Sequence, residues 1–425
     1  MNQYEQLCAQ FYGNRLLFGS PTEEGVIAVE IASPCEVEIL IRNKGELCRD
    51  RRPLRLFALV TEAKLLTGFP GAHRISVLEG NFPLRFIVHL DSIDLLDALR
   101  RHLRHVSGKG PAASDAPYLI LVDPVEQYLM MTGTTYFMGM QFGDLRRMQL
   151  DIETYISGGF EFPSAAREAD RIIAIAVTDS DGFERVLAGN DMDERQMLAE
   201  MVRIVRERDP DVIEGHNLFR FDLEYIEARA GRHRIALALG RDGSVLRARP
   251  SRIQIAERSI AFRRYDVYGR SIVDTWLLAQ HYDIASRELE GFGLKELAQH
   301  FGVARRDRVY IDPAKVSKYF DEQSDQLFAY ALDDAHEAAA LAETLSPSYF
   351  VQAQIFPYSY QSVMLRGNAT KIDALLTRAY LANGHSVPFP NAARGSGRLY
   401  GDPSLRSGAQ RPSLRRHIPL SLLDA

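Results

Sequence analysis

Hydrophobic patterning predicts short strands and one helix in the first third of the chain. The runs 26–31, 37–41 and 85–90 alternate or are continuously apolar over strand length. Residues 93–106 instead repeat apolar side chains at the spacing of one helix face. The pattern therefore predicts a mixed α/β domain over residues 1–143, in which no local motif indicates a chemistry.

From about residue 144 onward, predicted strands and helices alternate. Strand-like runs cover 148–154, 171–177 and 211–215, and helical periods cover 193–208 and 221–230. This β-β-α-β-α order predicts a mixed sheet covered by helices, with ligand groups at the strand ends.

The later part of the chain is predicted to contain a hairpin, more helices and a tail. A period of two between residues 241 and 270, with Asp242-Gly243 as the turn signal, predicts a β-hairpin. Further helices are predicted at 276–282, 294–301 and 321–345. Residues 391–425 are rich in Gly, Arg, Ser and Pro and are predicted to be extended or disordered.

Composition narrows the classes of function. A chain of 425 residues is expected to form two or three domains, and its 46% hydrophobic and 25% charged residues are typical of a soluble globular protein. The sequence has no bilayer-spanning apolar run and no secretion signal, so we expect no membrane partner. The three cysteines have no metal-ligand spacing and are interpreted as free thiols, which predicts a cytoplasmic protein. The eleven histidines do not cluster, which argues against zinc.

A net charge of −5 argues against a protein that coats DNA through bulk electrostatics, but a local basic track remains compatible with a nucleic-acid enzyme. Ten arginines with few intervening acids form a candidate track that is either a DNA-facing surface or a solvated face. They are Arg232, Arg234, Arg241, Arg247, Arg249, Arg252, Arg258, Arg263, Arg264 and Arg270.

Four carboxylates carry the chemical signal. The alternation Leu150-Asp151-Ile152-Glu153 turns both acids to one face of a strand. Asp222 lies at the start of a predicted helix, and Asp334 follows Tyr330 by one helical turn, although Asp333 competes with it as the fourth acid. Converging carboxylates repel one another unless cations lie between them, and hard divalent metals prefer oxygen ligands. The set therefore predicts metal-assisted phosphodiester hydrolysis.

In this order, Asp151-Ile152-Glu153, Asn217…Phe221-Asp222 and Tyr330-x-x-x-Asp334 resemble the three exonuclease motifs of the family B DNA polymerases. The resemblance extends upstream through residues 123–133 and downstream to about Pro390. It implies a family B N-terminal domain over 1–143, a ribonuclease H-like 3′–5′ exonuclease domain of the DEDDy type over 144–350, and a helical connector over 351–390. The polymerase motifs Asp-x-x-Ser-Leu-Tyr-Pro-Ser and Tyr-Gly-Asp-Thr-Asp do not occur in the sequence.

The resemblance also implies the roles of individual residues. Asp151 would bridge two Mg²⁺ ions, for which Mn²⁺ would substitute; Glu153 and Asp334 would complete the first metal site, and Asp222 the second. Tyr330 would orient the attacking water, because a hydroxyl with a pKa of ~10 is a poor base near neutral pH. The predicted DNA contacts are Asn217, Phe219, Arg247 and Arg249. The substrate would be a frayed single-stranded 3′ end, as in proofreading during DNA replication and repair.

Two residues near these motifs are interpreted as structural. Asp274 precedes a predicted helix and suits an N-cap, and His216 is interpreted as a packing or loop-shaping residue. Three functional hypotheses remain open: a DNA exonuclease module, a catalytically silent DNA-binding fragment beside a separate polymerase palm subunit, and an RNA-directed exonuclease. A chain without polymerase motifs is expected not to extend a primer by itself.

Overall fold

The structure is a computed structural model that describes residues 2–11, 13–20, 23–43, 45–71, 73–113 and 115–389. The chain divides into two compact units. One unit comprises Gln141–Tyr349, and the other combines Asn2–Met140 with residues 350–389. The predicted tail at 391–425 lies outside the described residues. Within the described ranges, no helix is both long and apolar enough to cross a lipid bilayer.

In the unit that begins the chain, the described residues before 141 form two antiparallel sheets and four α-helices. In chain order these elements are α1 (Gln3–Ala9), α2 (Arg15–Phe18), β1 (Val26–Ser33), β2 (Glu36–Asn43), β3 (Glu46–Pro53), β4 (Leu56–Val60), β5 (Arg74–Val77), β6 (Phe86–Leu90), α3 (Ile93–Ser107), β7 (Tyr118–Leu119) and α4 (Pro124–Thr132). The sheet orders are β1-β2-β3 and β5-β6-β4-β7. Helix α4 begins at an Asp123 N-cap with proline in the first turn and ends at Gly133, whose φ of 70° suits glycine.

The unit Gln141–Tyr349 is built on a five-stranded mixed sheet. Its elements are β8 (Arg147–Thr154), β9 (Ile172–Asp179), β10 (Glu184–Ala188), α5 (Glu194–Arg208), β11 (Val212–Gly215), α6 (Asp222–His233), β12 (Arg247–Ile255), β13 (Arg258–Asp266), β14 (Ser271–Asp274), α7 (Thr275–Ser286), α8 (Leu294–His300), α9 (Val316–Glu322) and α10 (Ser324–Leu345). The strand order is β10-β9-β8-β11-β14, antiparallel from β10 to β8 and parallel from β8 to β14. Helices α5 and α10 pack against the sheet.

The chain then continues through α11 (Pro347–Ile355), α12 (Tyr360–Met364) and α13 (Asn368–Ala382). The described part of the connector predicted at 351–390, residues 351–389, lies in the same compact unit as Asn2–Met140. Helix α13 packs against α4 and α2, and the Phe350 ring stacks on Phe137 with centroids 4.7 Å apart. Burial of these aromatic faces links the two chain segments.

The fold class predicted from the sequence, mixed α/β with a mixed sheet flanked by helices, is confirmed. One strand was missed, one turn was placed wrongly and one helix was predicted to begin too early. Strand β10 was missed, because its run of five residues is short and half-exposed. The hairpin reverses at Ala256-Glu257 between β12 and β13, whereas Asp242-Gly243 forms a separate turn before β12, with a φ of 81° at Gly243. The helix predicted at 321–345 is confirmed as α10 (Ser324–Leu345), but it begins after a break at Gln323, and the residues before the break belong to α9.

Candidate metal-binding site

Strand β8, at the centre of the mixed sheet, presents Asp151 and Glu153 on one face. Both side chains are half-buried, while the alternating residues Leu150 and Ile152 are buried on the opposite face. Directly across from the two acids on β9 lie alanines, since Asp151 pairs with Ala176 and Glu153 pairs with Ala174. The small side chains leave room for a helix to approach this face closely.

Helix α10 occupies that face. Ala331 and Ala335 of α10 cluster with the β9 alanines, which brings the helix close to the sheet. Tyr330 and Asp334, one turn apart on α10, are 5% and 7% exposed. As a result, one carboxylate oxygen from each of Asp151, Glu153 and Asp334 lies within 4.8 Å of the others. We call these three residues together with Asp222 the carboxylate site.

Asp222 reaches the site through a tight turn after β11. A Cβ atom on Gly215 would lie 2.7 Å from the Leu150 carbonyl oxygen, so glycine allows the end of β11 to pass close beside β8. The chain then reverses at Asn217, whose φ is 66°, and Asp222 becomes the first residue of α6 with 3% exposure.

Asp274 holds this turn in place. Its carboxylate accepts hydrogen bonds from the backbone N–H groups of Asn217 at 2.8 Å, Phe219 at 3.0 Å and Trp276 at 3.0 Å. The bond from Trp276 is the N-cap of α7, so the predicted capping role is confirmed. His216 bridges the Thr275 hydroxyl and the Phe292 carbonyl, both at 2.9 Å, as expected of a loop-shaping residue.

The electrostatics of the carboxylate site suit a divalent cation. Burial and then the repulsion of neighbouring acids raise the pKa of Asp151 and Glu153 well above the usual range, and the pKa of Asp334 is also raised, chiefly by burial. Burial raises the pKa of Asp222 to about 8, and the charges of Asp274 and Asp334 add to the increase.

The hydrogen bonding leads to the same conclusion. Within the described part of the chain, the Asp151 Oδ2 atom is buried and has no hydrogen-bond partner. An orphaned carboxylate oxygen inside a set of all-oxygen donors is what a hard cation such as Mg²⁺ or Mn²⁺ would coordinate. The residues present therefore fit a divalent metal ion.

Two protein cations lie at the edge of the carboxylate site. The Lys295 ammonium donates a hydrogen bond to the Tyr330 hydroxyl and lies 4.1 Å from the centre of its ring. The Arg308 guanidinium donates to Asp334 and to Glu337, and the Arg308 side chain is 1% exposed. Sequence reasoning missed all three of Lys295, Arg308 and Glu337. Only Glu337 carried a signal, since it lies seven residues after Tyr330 and thus on the same helix face.

The alternative between Asp333 and Asp334 has a clear geometric answer. Asp333 accepts a hydrogen bond from the Val309 backbone N–H at 3.0 Å and pairs with Arg305 at 3.1 Å. Asp334 is the acid that lies beside Asp151 and Glu153. The i, i+4 spacing from Tyr330 therefore selected the residue that faces the sheet.

The predicted DNA contacts fall into different environments. Arg247 and Arg249 are exposed on β12, and Arg249 pairs with Asp266 at 3.0 Å. The Asn217 Oδ1 atom is buried without a partner among the described residues. Phe219, however, is 1% exposed and packs against Phe262 with ring centroids 5.5 Å apart. The expectation of a Phe219–nucleotide contact is corrected accordingly, because a ring buried in the core offers no surface for stacking.

The arginine track is also smaller than the sequence indicated. The Arg241 and Arg270 side chains are buried, and both pair with Asp209. Arg264 is 9% exposed and pairs with Asp266. These three arginines satisfy buried or half-buried acids and are not available to DNA. Arg247 and Arg252, by contrast, are exposed on the hairpin.

The chain is similar to known DNA polymerases. Residues 181–291 match the family model described as "DNA polymerase family B, exonuclease domain", a segment that includes Asn217 and Asp222. The chain is 29% identical over 256 residues to a DNA polymerase of Archaeoglobus fulgidus, which covers 59% of this chain and 29% of that protein. It is 28% identical over 283 residues to DNA polymerase 2 of Aeropyrum pernix, covering 66% and 32% of the two chains.

A solved structure shares the fold. The family B DNA polymerase from Pyrobaculum calidifontis superposes with a TM-score of 0.64 and 22% sequence identity, over 84% of this chain and 50% of that one. This chain thus spans about a third of the length of the curated relatives described above. The resemblance seen in the sequence is confirmed: residues 181–291 match the exonuclease domain of the family B DNA polymerases, and the chain is similar to DNA polymerases over 59–66% of its length.

Proposed function

We propose that the protein is a metal-dependent 3′–5′ exonuclease that removes nucleotides from single-stranded DNA 3′ ends, as the proofreading module of a family B polymerase does. The observation that carries the proposal is the carboxylate site, in which Asp151, Glu153 and Asp334 offer oxygens within 4.8 Å of one another and Asp151 Oδ2 has no hydrogen-bond partner in the described chain. The match to the exonuclease domain supports the same reaction.

In this proposal Asp151, Glu153 and Asp334 would hold one divalent cation, and Asp222, with Asp151, would hold a second. Bound Mg²⁺ or Mn²⁺ would supply an activated water and would stabilise negative charge at the phosphodiester. Because the four acids are crowded and are buried or half-buried, their ionised forms need this positive charge.

Tyr330 acts in the proposal as a hydrogen-bond donor. Burial, followed by the charges of Asp334 and Glu153, raises the pKa of Tyr330 above its ordinary value, so the hydroxyl stays protonated at neutral pH. The hydroxyl oxygen accepts a hydrogen bond from Lys295, which leaves its own proton for the attacking water or a phosphate oxygen. Tyr330 therefore orients the nucleophile without acting as its base.

DNA is the proposed partner, since the curated relatives are DNA polymerases. Exposed Arg247 and Arg249 would contact the phosphate backbone, and the amide of Asn217 would approach the terminal nucleotide. The free thiols of Cys8, Cys35 and Cys48 support a reducing compartment such as the cytoplasm. A separate palm subunit stays a prediction. Its test is whether adding such a subunit restores primer extension.

The direct test uses a 5′-labelled single-stranded DNA and an RNA of the same sequence. We expect a ladder of DNA products shortened from the 3′ end with Mg²⁺ or Mn²⁺, and no products in EDTA. Asp151→Asn, purified identically, controls for contaminating nucleases. Activity that persists in EDTA or in Asp151→Asn contradicts the metal site, and a preference for RNA would favour the RNA-directed alternative. A folded, DNA-binding protein that cleaves nothing would favour the silent fragment.

A further inference from the structure

A segment between α8 and α9 docks on the helix that carries Asp334. The Arg305 guanidinium pairs with Asp333 at 3.1 Å, and the Val309 backbone N–H donates to the same carboxylate at 3.0 Å. The Arg305 backbone N–H donates to Glu337 at 3.4 Å. Residues on both sides of Arg308 are therefore fixed to α10, which brings the Arg308 side chain to the carboxylate site.

The Arg308 guanidinium joins two acids of α10. One terminal nitrogen donates to Asp334 Oδ1 and the other donates to Glu337 Oε2. The side chains of Arg308 and Glu337 are 1% and 0% exposed, so water does not screen this interaction. A planar guanidinium with both ends occupied has little freedom to rotate, and it therefore fixes the orientation of the Asp334 carboxylate.

Glu337 also changes the charge balance of the site. An arginine paired with Asp334 alone would cancel one negative charge that could otherwise attract a divalent cation. Glu337 compensates the Arg308 charge, and the pair adds no net charge beside Asp334. Arg308 can thus orient Asp334 while the site keeps its attraction for metal.

We propose that Glu337 is a positioning residue that acts through Arg308: it neutralises the guanidinium and holds it so that Asp334 is presented as a metal ligand. The inference rests on the proposed function, since it concerns the same metal site. The competing interpretation is a buried ion pair that merely attaches residues 305–309 to α10.

The experiment measures Mn²⁺ binding by electron paramagnetic resonance, without DNA. Glu337→Gln keeps the size of the side chain but leaves the Arg308 charge uncompensated. We expect it to weaken Mn²⁺ binding by about 10- to 100-fold, the range found when partners of metal ligands are changed. The double variant Glu337→Gln/Arg308→Met removes both charges of the pair. We expect it to regain the affinity lost to the uncompensated charge but to bind Mn²⁺ more weakly than the parent, because Arg308 no longer orients Asp334. An attachment role alone predicts the opposite, because the double variant breaks more of the docking contacts.

Two controls separate the possible failures. Glu343→Gln changes an exposed acid on the same helix and should bind Mn²⁺ like the parent. Asp151→Asn should lose Mn²⁺ binding; if it binds as the parent does, the proposed function fails before the inference is reached. Parent-like binding by Glu337→Gln, or a double variant weaker than the single one, overturns the inference. Circular dichroism checks that each variant is folded. If Glu337→Gln does not fold, the Mn²⁺ affinity of the folded double variant decides between the positioning role and the attachment role.

Discussion

Two carboxylates in the unit Gln141–Tyr349, Asp170 and Asp151, differ in whether their oxygens have hydrogen-bond partners. Asp170, which is 0% exposed, accepts bonds from the Ser157 N–H at 2.9 Å, the Ser157 hydroxyl at 2.6 Å, the Ser164 N–H at 2.8 Å and Arg167 Nε at 2.7 Å. Asp151 lies among other acids, and its Oδ2 atom has no partner among the described residues.

The pKa shifts of the two acids run in opposite directions. Burial alone would raise the pKa of Asp170, but the hydrogen bonds from Ser157, Arg167 and Ser164 overcome burial and lower it to about 2. Burial and like charges raise the pKa of Asp151 well above its ordinary value. An acid whose bonds are all made stabilises the fold, whereas an acid left unsatisfied indicates a ligand.

The largest effect expected from the difference between Asp151 and Asp170 is on the rate of DNA cleavage. Asp151→Asn should reduce DNA cleavage on the order of 10⁴-fold, as removal of a catalytic acid does in other hydrolases. The melting temperature of the metal-free protein should be unchanged or slightly higher, because the substitution removes one of several carboxylate charges that repel one another. Single-turnover cleavage and a melting curve measure the two quantities. A strongly destabilised variant would mean that Asp151 serves the fold.

The next largest effect is on the stability of the fold, and it concerns Glu194, a second buried acid whose carboxylate oxygens have hydrogen-bond partners. Its carboxylate accepts bonds from the Ile172 N–H at 2.8 Å, from Arg229 at 2.6 and 2.7 Å, and from His233 at 2.6 Å. Glu194→Ala leaves the buried Arg229 cation unpaired and should lower the free energy of unfolding by about 3–5 kcal/mol. Urea unfolding measures the loss, and cleavage by the folded protein should be unaffected. If Glu194→Ala left the free energy of unfolding unchanged, Glu194 and Asp151 would no longer differ in their role in stability.

Two buried tyrosines provide a matched pair. Tyr330→Phe should slow cleavage by about 10²-fold, as loss of one well-placed hydrogen-bond donor does, with little effect on stability. The Tyr225 hydroxyl donates to the Asp170 carbonyl at 2.7 Å. Tyr225→Phe should lower the free energy of unfolding by about 1 kcal/mol and leave cleavage intact. If Tyr330→Phe mainly lowers stability and Tyr225→Phe mainly slows cleavage, the assignment of a catalytic role to Tyr330 and a structural role to Tyr225 is wrong.

The smallest expected effect is the pH dependence of stability that comes from Asp170. Its folded pKa of about 2 lies below the ordinary value of 3.8, so the contribution is fully present above about pH 4 and is lost as the pH falls towards 2. The loss should be about 2 kcal/mol, since each unit of pKa shift corresponds to about 1.4 kcal/mol. Unfolding curves of the parent and Asp170→Asn between pH 2 and 6 test this, and equal slopes would contradict it.

Local sequence was sufficient for the elements that carry the carboxylate site. The alternation around Asp151 and Glu153 required only the two-residue period of a strand, and Tyr330 and Asp334 required only the period of a helix. The capping role of Asp274 also followed from its position before a helix. These features depend on neighbours in the chain, so the sequence determined them without knowledge of the sheet order.

The tertiary structure alone decided which side chains surround those acids. Arg308 and Glu337 are brought together across 29 residues, and Lys295 meets Tyr330 across 35. In the sequence, Arg308 belongs to a charged run typical of a solvated loop, and Phe219 could equally have been exposed. Burial and ion pairing depend on how the sheet and helices pack, and contacts between residues far apart in the chain leave no local period to detect.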